Sequence, residues 1–61
     1  MTMSTYVMRN WRFDVRRDGS FYVVGDIAHR RRWETTQVLE LLTFENCYQV
    51  TTLNSVYVLY F

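Results

Sequence analysis

The residues best suited to chemistry in this chain form one run, His29-Arg30-Arg31-Arg32-Trp33. Arginine carries a planar fork of donors that binds phosphate or carboxylate through paired hydrogen bonds and stacks on aromatic rings. A tryptophan beside such arginines can stack a nucleobase. The run therefore predicts a site for a phosphate-bearing ligand, either a nucleotide or a short nucleic acid. The candidate ligand-binding residues are Arg30, Arg31, Arg32, Trp33 and His29, joined by Arg12 and Tyr22 from the polar face of the first predicted hairpin.

Three other interpretations of the arginines stay open. They can keep a small protein soluble and pair with Asp26, Glu34 or Glu40 of the same or a neighbouring chain. They can instead bind an acidic patch on a target protein, with Trp33 as an anchor, because Arg and Trp are frequent hot spots of interfaces. A purely structural or assembly protein would bind no ligand. Salt separates the two binding hypotheses, because phosphate recognition weakens with ionic strength more than an aromatic interface does.

The remaining polar residues do not indicate a catalytic or metal site. A nucleophile needs a base within hydrogen-bond reach, and Cys47 with His29 is the only such combination available. The six carboxylates are scattered singly, and the two glycines match no phosphate-binding loop. One Cys and one His cannot supply the four ligands of a structural zinc site. We therefore predict no catalytic residue, no metal and no cofactor, in a protein that binds and is not an enzyme.

Length and charge limit the scale of the protein. A chain of 61 residues allows one small domain, spanning 1–61. All 7 basic residues are arginine, and 6 acidic residues leave a formal net charge of +1. This balance argues against a bulk binder of polyanions. A single cysteine excludes an intramolecular disulfide, and neither a signal-peptide pattern nor an apolar run of the ~20 residues that span a membrane is evident. We expect a cytoplasmic protein without membrane contact.

The composition and spacing favour β structure. Aromatic residues make up 18% of the chain and proline is absent. Residues 7–15 alternate between apolar and polar positions with Arg9 as one charged exception, which predicts a strand. The side chains expected to face inward are Trp11, Phe13 and Val15. Asp18-Gly19 supplies the positive φ of a tight hairpin turn, and the strand that follows, 21–27, has Gly25 at a bulge or bend.

The segment 34–46 fits two structures. Its apolar residues suit a helix about as well as a strand that is buried on both faces. Threonines near both ends and the lack of a capping box favour the strand. Turns at Glu45-Asn46 and Asn54-Ser55 then separate it from strands over 47–53 and 56–61. We predict an all-β domain, a small five-stranded antiparallel barrel of SH3-like or OB-like type. The alternative is a four-stranded sheet with one helix at 34–46.

The last predicted strand is apolar on both of its faces. One face carries Val56, Val58 and Tyr60, and the other carries Tyr57, Leu59 and Phe61. So short a chain has little material to cover both faces, and association of copies would also protect the strand edge. We expect a homo-oligomer with Tyr57, Leu59, Phe61 and Tyr60 at the interface. Alternatively, the tyrosines of this strand are half-exposed with hydrated hydroxyls.

Two stretches resemble a known group of proteins. Residues 33–41 (WETTQVLEL) and 51–59 (TTLNSVYVL) are similar to a pattern common in very small phage and prophage proteins of unassigned role. In that pattern a tryptophan or arginine loop precedes a threonine-rich strand, and a Tyr-x-Leu strand closes a mini β-barrel. The match covers less than half of the chain, with Asn54 where glycine is more usual. The resemblance implies a viral anti-defence protein of the host cytoplasm, either a sponge for a nucleotide signal or an inhibitor of a defence complex.

Overall fold

The computed structural model describes residues 3–61, and every regular element in that range is a β-strand. The strands are β1 Ser4–Val15, β2 Phe21–Ile27, β3 Arg30–Glu34, β4 Glu40–Thr43, β5 Cys47–Thr51 and β6 Ser55–Tyr60. The predicted all-β class is therefore confirmed. The helical alternative for 34–46 is wrong, and the strand predicted there is confirmed only over 40–43. Glu34 ends β3, and the threonine-rich stretch after it crosses between two strands in irregular structure.

The six strands form one mixed sheet in the order β3-β2-β1-β6-β5-β4. β1 and β6 run parallel, and all other neighbours are antiparallel. β3 and β4 are the two edges, so the predicted closed barrel of five antiparallel strands is not confirmed. The segment 35–39 carries the chain from one edge to the other. On the way, the Val38 N–H donates to the Phe21 carbonyl (3.0 Å) and the Leu39 N–H to the Thr51 carbonyl (2.8 Å).

β1 pairs with a different strand along each of its halves and contains a bulge near the start of the second half. Residues 4–8 pair with β6, whereas residues 9–15 pair with β2 on the opposite side of the strand. Within the second half the register shifts between Arg9 and Arg12, so that Asn10 and Trp11 together stand opposite Gly25. Asn10 adopts φ 52°, the left-handed conformation that asparagine tolerates better than most residues. One long strand therefore takes part in two pairings, with β6 and with β2, in different parts of the sheet.

The bulge also switches which side chains of β1 face the core. Met8 is fully buried and Trp11 packs beside it, although strict alternation would place these two residues on opposite faces. Arg9, the charged exception of the sequence pattern, stays on the outer face. Phe13 and Val15 were expected to face inward but remain exposed, because β6 runs beside only the first half of β1.

The core lies inside the curl of the sheet, where Gly25 makes a close approach possible. The buried cluster comprises Met8, Val23, Val38, Val50, Tyr57 and Leu59. A Cβ placed on Gly25 would lie 2.6 Å from Cγ and 2.8 Å from Sδ of Met8, and 2.9 Å from the Arg9 carbonyl oxygen. Glycine is thus required here by the backbone of the neighbouring strand as well as by a flexible side chain.

We predict that Gly25→Ala lowers the free energy of unfolding by about 1–3 kcal/mol, the usual effect of overpacking a core. Met8→Ala is itself destabilising because it removes a fully buried side chain. In that background Gly25→Ala should cost less than in the wild type but not nothing, because the contact with the Arg9 carbonyl is unchanged. Chemical denaturation of the four proteins measures both effects. A Gly25→Ala variant as stable as the wild type would contradict the close approach.

Candidate ligand-binding cleft

One carboxylate, that of Asp26 on β2, holds two irregular backbone segments in place. Its Oδ2 accepts a hydrogen bond from Nδ2 of Asn10 at 3.0 Å, and its Oδ1 accepts the backbone N–H of Arg32 at 3.1 Å. Arg32 has φ 54° and lies in a second bulge, where Arg31 and Arg32 together stand opposite Asp26. The Asn10 bond, then the Arg32 bond and the nearby guanidinium groups, lower the pKa of Asp26 from its usual value.

Because β2 leaves β1 beyond Arg9, an open groove separates the first half of β1 from the β2–β3 hairpin. We term it the hairpin cleft. Its two connected parts are lined by Thr5, Tyr6, Val7, Arg9, Asp26, Ile27 and Ala28, and by Tyr6, Ile27, Ala28, His29, Arg30 and Trp33. The larger part has a volume of about 540 Å³, which lies within the range of small-molecule sites.

Trp33 and Arg30 form the hairpin wall of the cleft, and Tyr6 of β1 lines the same part of it. Tyr6 stacks on Tyr57 with ring centroids 5.6 Å apart. The indole Nε1 of Trp33 donates to the Tyr57 hydroxyl at 3.1 Å, which fixes the plane of the indole. The Arg30 guanidinium lies 5.5 Å from the centre of the Trp33 ring. A cation therefore stands beside a positioned aromatic surface, an arrangement suited to a ligand with a ring and an anionic group.

The opposite wall is an unpaired strand edge, as the hydrogen-bond pattern of β6 shows. The Phe61 N–H donates to the Asn46 carbonyl at 3.2 Å, which makes these two residues a hydrogen-bonded pair. Bonded residues alternate along an antiparallel ladder, so Tyr57 and Leu59 also bond to β5 and Val58 directs its backbone groups towards β1. In a parallel pair Val58, which is opposite Val7, bonds to the residues on either side of Val7. The backbone N–H and C=O groups of Thr5 and Val7 consequently face the cleft.

The sequence interpretation missed this strand edge. Thr5, Tyr6 and Val7 carry no side-chain signal for binding, because their contribution depends on where β2 departs from β1. Two features of the sequence lie near this point: Arg9, the charged exception in the alternation, and Gly25, predicted at a bulge or bend.

The arginines of the run are not neutralised within the described chain. Among residues 3–61 the one ion pair within 4.0 Å joins Arg12 to Asp14, at 3.9 Å and with both side chains largely exposed. Arg30, Arg31 and Arg32 thus have no carboxylate at ion-pair distance in that range, although Asp26 lies near the last two. Pairing within one chain, through Asp26, Glu34 or Glu40, is not found at that distance.

Arg12 and Tyr22, the two predicted contributors from the first hairpin, lie outside the cleft. Arg12 pairs in register with Val24, and Tyr22 with Asp14, on the outer face of β1 and β2. The Tyr22 ring is also covered by the Arg16 guanidinium, 3.8 Å from its centre. The structure therefore brings together Arg30, Trp33 and His29, with Arg31 and Arg32 on the adjoining bulge, and it removes Arg12 and Tyr22 from the site.

The predicted oligomer interface also needs correction. Tyr57 and Leu59 are 4% and 0% exposed, because the curled sheet covers that face of β6 with residues of the same chain. They have almost no surface to offer a partner. Tyr60 and Phe61 remain exposed, and the Phe61 ring lies edge-on to Tyr48 at 4.9 Å.

No protein-family model, curated protein or solved structure matches this chain. The resemblance to small phage proteins therefore stays a prediction. Within residues 3–61, no three His, Cys, Asp or Glu side chains are grouped so that they could hold a metal ion. The same range contains no helix of the length and apolarity needed to cross a membrane.

The lowered pKa of Asp26 makes part of the stability depend on pH. Since the folded-state pKa lies below the unfolded value, the ionised group stabilises the fold fully above the unfolded value of about 3.9, and this contribution is lost as the pH falls through the folded value. In Asp26→Asn, the drop in Tm between neutral and acidic pH should be smaller than in the wild type. Thermal melts at about pH 7 and pH 3 measure it.

Glu45→Gln is the matched control, because Glu45 is exposed in the turn between β4 and β5. It should retain the wild-type drop in Tm. An Asp26→Asn variant with an unchanged drop would show that this carboxylate does not hold the two bulges.

Proposed function

We propose that this protein binds a phosphate-bearing ligand with an aromatic base, a nucleotide or the end of a short nucleic acid, in the hairpin cleft. It acts by holding the ligand and does not transform it. The observation that carries the proposal is the Arg30 guanidinium, free of any carboxylate at ion-pair distance among residues 3–61, beside the fixed indole of Trp33.

Each wall of the cleft has a separate role in this proposal. Arg30 and His29 bind the phosphate, because a guanidinium matches phosphate oxygens through two parallel hydrogen bonds. Tyr6 and Trp33 stack against the base, a contact worth about 1–3 kcal/mol per base in single-strand binding proteins. The backbone N–H and C=O groups of Thr5 supply one donor and one acceptor for the edge of the base.

Arg31 and Arg32 act mainly through their charge. Asp26 accepts the backbone N–H of Arg32, so the bulge is held by a main-chain contact and both guanidinium groups stay exposed. Two positive charges beside the cleft raise the local concentration of an anion even though the whole chain is close to neutral. This fits a protein that sequesters a scarce anionic ligand by stoichiometric binding.

Direct binding to a target protein is the second candidate, and it has its own support. Phe13, Phe21 and Phe61 are exposed and join Trp11 and Tyr48 in one continuous cluster of edge-to-face and tilted rings. Exposed aromatic clusters of this kind are frequent at interfaces. An inhibitor of a host protein would use this surface, on the half of β1 away from the hairpin cleft.

Arg30→Gln tests the first candidate. We expect it to weaken binding of AMP or GMP by about 10- to 100-fold, because a charge-assisted hydrogen bond contributes about 1.5–3 kcal/mol. Isothermal titration calorimetry measures the affinity. Arg17→Gln removes the same charge from the exposed turn between β1 and β2 and should change it little.

Two results would contradict the proposal. One is an equal loss of affinity in both variants, which would indicate attraction to charge without a site. The other is binding whose strength does not change between low and moderate salt, since phosphate recognition must weaken as ionic strength rises. Arg31→Ala and Arg32→Ala should each lower the affinity and its salt dependence while leaving the fold intact.

A further inference from the structure

The two edges of the sheet are protected very differently. The β3 edge carries three arginines and a bulge at Arg31-Arg32, both of which discourage pairing with another strand. The β4 edge, Glu40–Thr43, has a regular register with β5 and contains no basic residue, proline or glycine. All four of its residues are exposed. β4 is therefore an edge strand open to pairing.

The free backbone groups of β4 follow from its pairing with β5. The Phe44 N–H donates to the Cys47 carbonyl at 2.9 Å, which makes this a hydrogen-bonded pair. In an antiparallel ladder the bonded residues alternate, so Leu42 and Glu40 also point their backbone groups at β5. Leu41 and Thr43 then direct their N–H and C=O groups away from the sheet. Among residues 3–61, no backbone hydrogen bond outside the ladders involves these groups.

We propose that a second copy of this chain pairs with this edge, β4 against β4, antiparallel about a two-fold axis at Leu42. In this register Leu41 lies opposite the partner's Thr43, and Thr43 lies opposite the partner's Leu41. The free N–H and C=O groups of Leu41 and Thr43 in each strand are then hydrogen-bonded, which gives four hydrogen bonds across the axis. A register centred on Leu41, or one centred on Thr43, would pair that residue with its own copy. The N–H and C=O groups of the other residue would then have no free residue of the partner's β4 opposite them.

The side chains around the axis agree with this register. Leu42 is 41% exposed and would lie beside the partner's Leu42 as a non-hydrogen-bonded pair, the type in which side chains approach most closely. Phe44 is 49% exposed and would lie opposite the partner's Glu40, covering the stem of that side chain. The two Glu40 carboxylates lie at opposite ends of the paired strands, so like charges do not meet.

A dimer joined through both β4 edges has no further β4 edge with which to pair. Once two β4 edges are joined, the outer strands of the sheet are the two β3 strands with their arginines and bulges, and the other open backbone groups include those of Thr5 and Val7 inside each hairpin cleft. Pairing therefore stops at a dimer with a continuous twelve-stranded sheet and does not continue into a fibre. None of the residues that line the hairpin cleft belongs to β4, so the dimer does not require a bound ligand.

Proline scanning tests the assignment of the free N–H groups. Leu41→Pro removes an N–H that the single chain does not use, so the variant should fold but be monomeric in sedimentation equilibrium where the wild type is dimeric. Leu42→Pro removes a bond to β5 and should lower the Tm markedly. A wild-type chain that stays monomeric at millimolar concentration, or a Leu41→Pro variant that still dimerises, would overturn the proposal.

Cross-linking provides a test that does not require a proline variant to fold. In a Cys47→Ser background, Leu42→Cys should form a disulfide-linked dimer within minutes under mild oxidation, because non-hydrogen-bonded antiparallel pairs bring Cα atoms to about 4.5 Å. Leu53→Cys, exposed in the turn between β5 and β6, is the matched control and should cross-link far more slowly. Equal rates for the two cysteines would overturn the proposal.

Discussion

An extra residue in β1 decides which side chains of this central strand face the core. Asn10 adopts the left-handed conformation opposite Gly25, within the part of β1 that pairs with β2, whereas residues 4–8 pair with β6. The same residue changes the alternation of side chains, so that Met8 and Trp11 can share the core face. β2 pairs with β1 as far as Arg9 and ends at Ile27, where the chain turns into β3. The N–H and C=O groups of Thr5 and Val7 therefore stay open in the hairpin cleft.

The carboxylate of Asp26 links this bulge to the arginines. It bonds the Asn10 side chain on one side and the Arg32 backbone on the other, which places both left-handed residues next to the same strand. Because Asp26 engages Arg32 through a main-chain N–H, the guanidinium groups remain exposed. A nearly neutral chain can in this way present concentrated positive charge on one hairpin, beside an aromatic wall fixed by the bond between Trp33 and Tyr57. Local geometry, and not overall charge, makes the site electropositive.

Local features of the fold were predictable from the sequence, and long-range pairings were not. The Asp18-Gly19 turn is present, with Gly19 at φ 89° and the Ser20 N–H and hydroxyl both bonded to Asp18, because that geometry is encoded in four consecutive residues. The parallel pairing of β1 with β6 joins residues some fifty positions apart and leaves no mark in periodicity. It decides that Tyr57 is buried, and it forms the unpaired edge of the cleft. Arginine chemistry selected Arg30 and Trp33, which the structure places side by side, but it gave no sign that Arg12 and Tyr22 lie on the other face.

Amide NMR during titration with AMP tests most directly whether the open edge of β1 and the Arg30–Trp33 wall form one ligand site. If they do, the amides of Thr5 and Val7 and the indole N–H of Trp33 will shift together along a single binding curve, while the amides of Arg12 and Tyr22 stay in place. Shifts confined to the aromatic cluster around Phe61, or no saturable shift in the hairpin cleft, would contradict it.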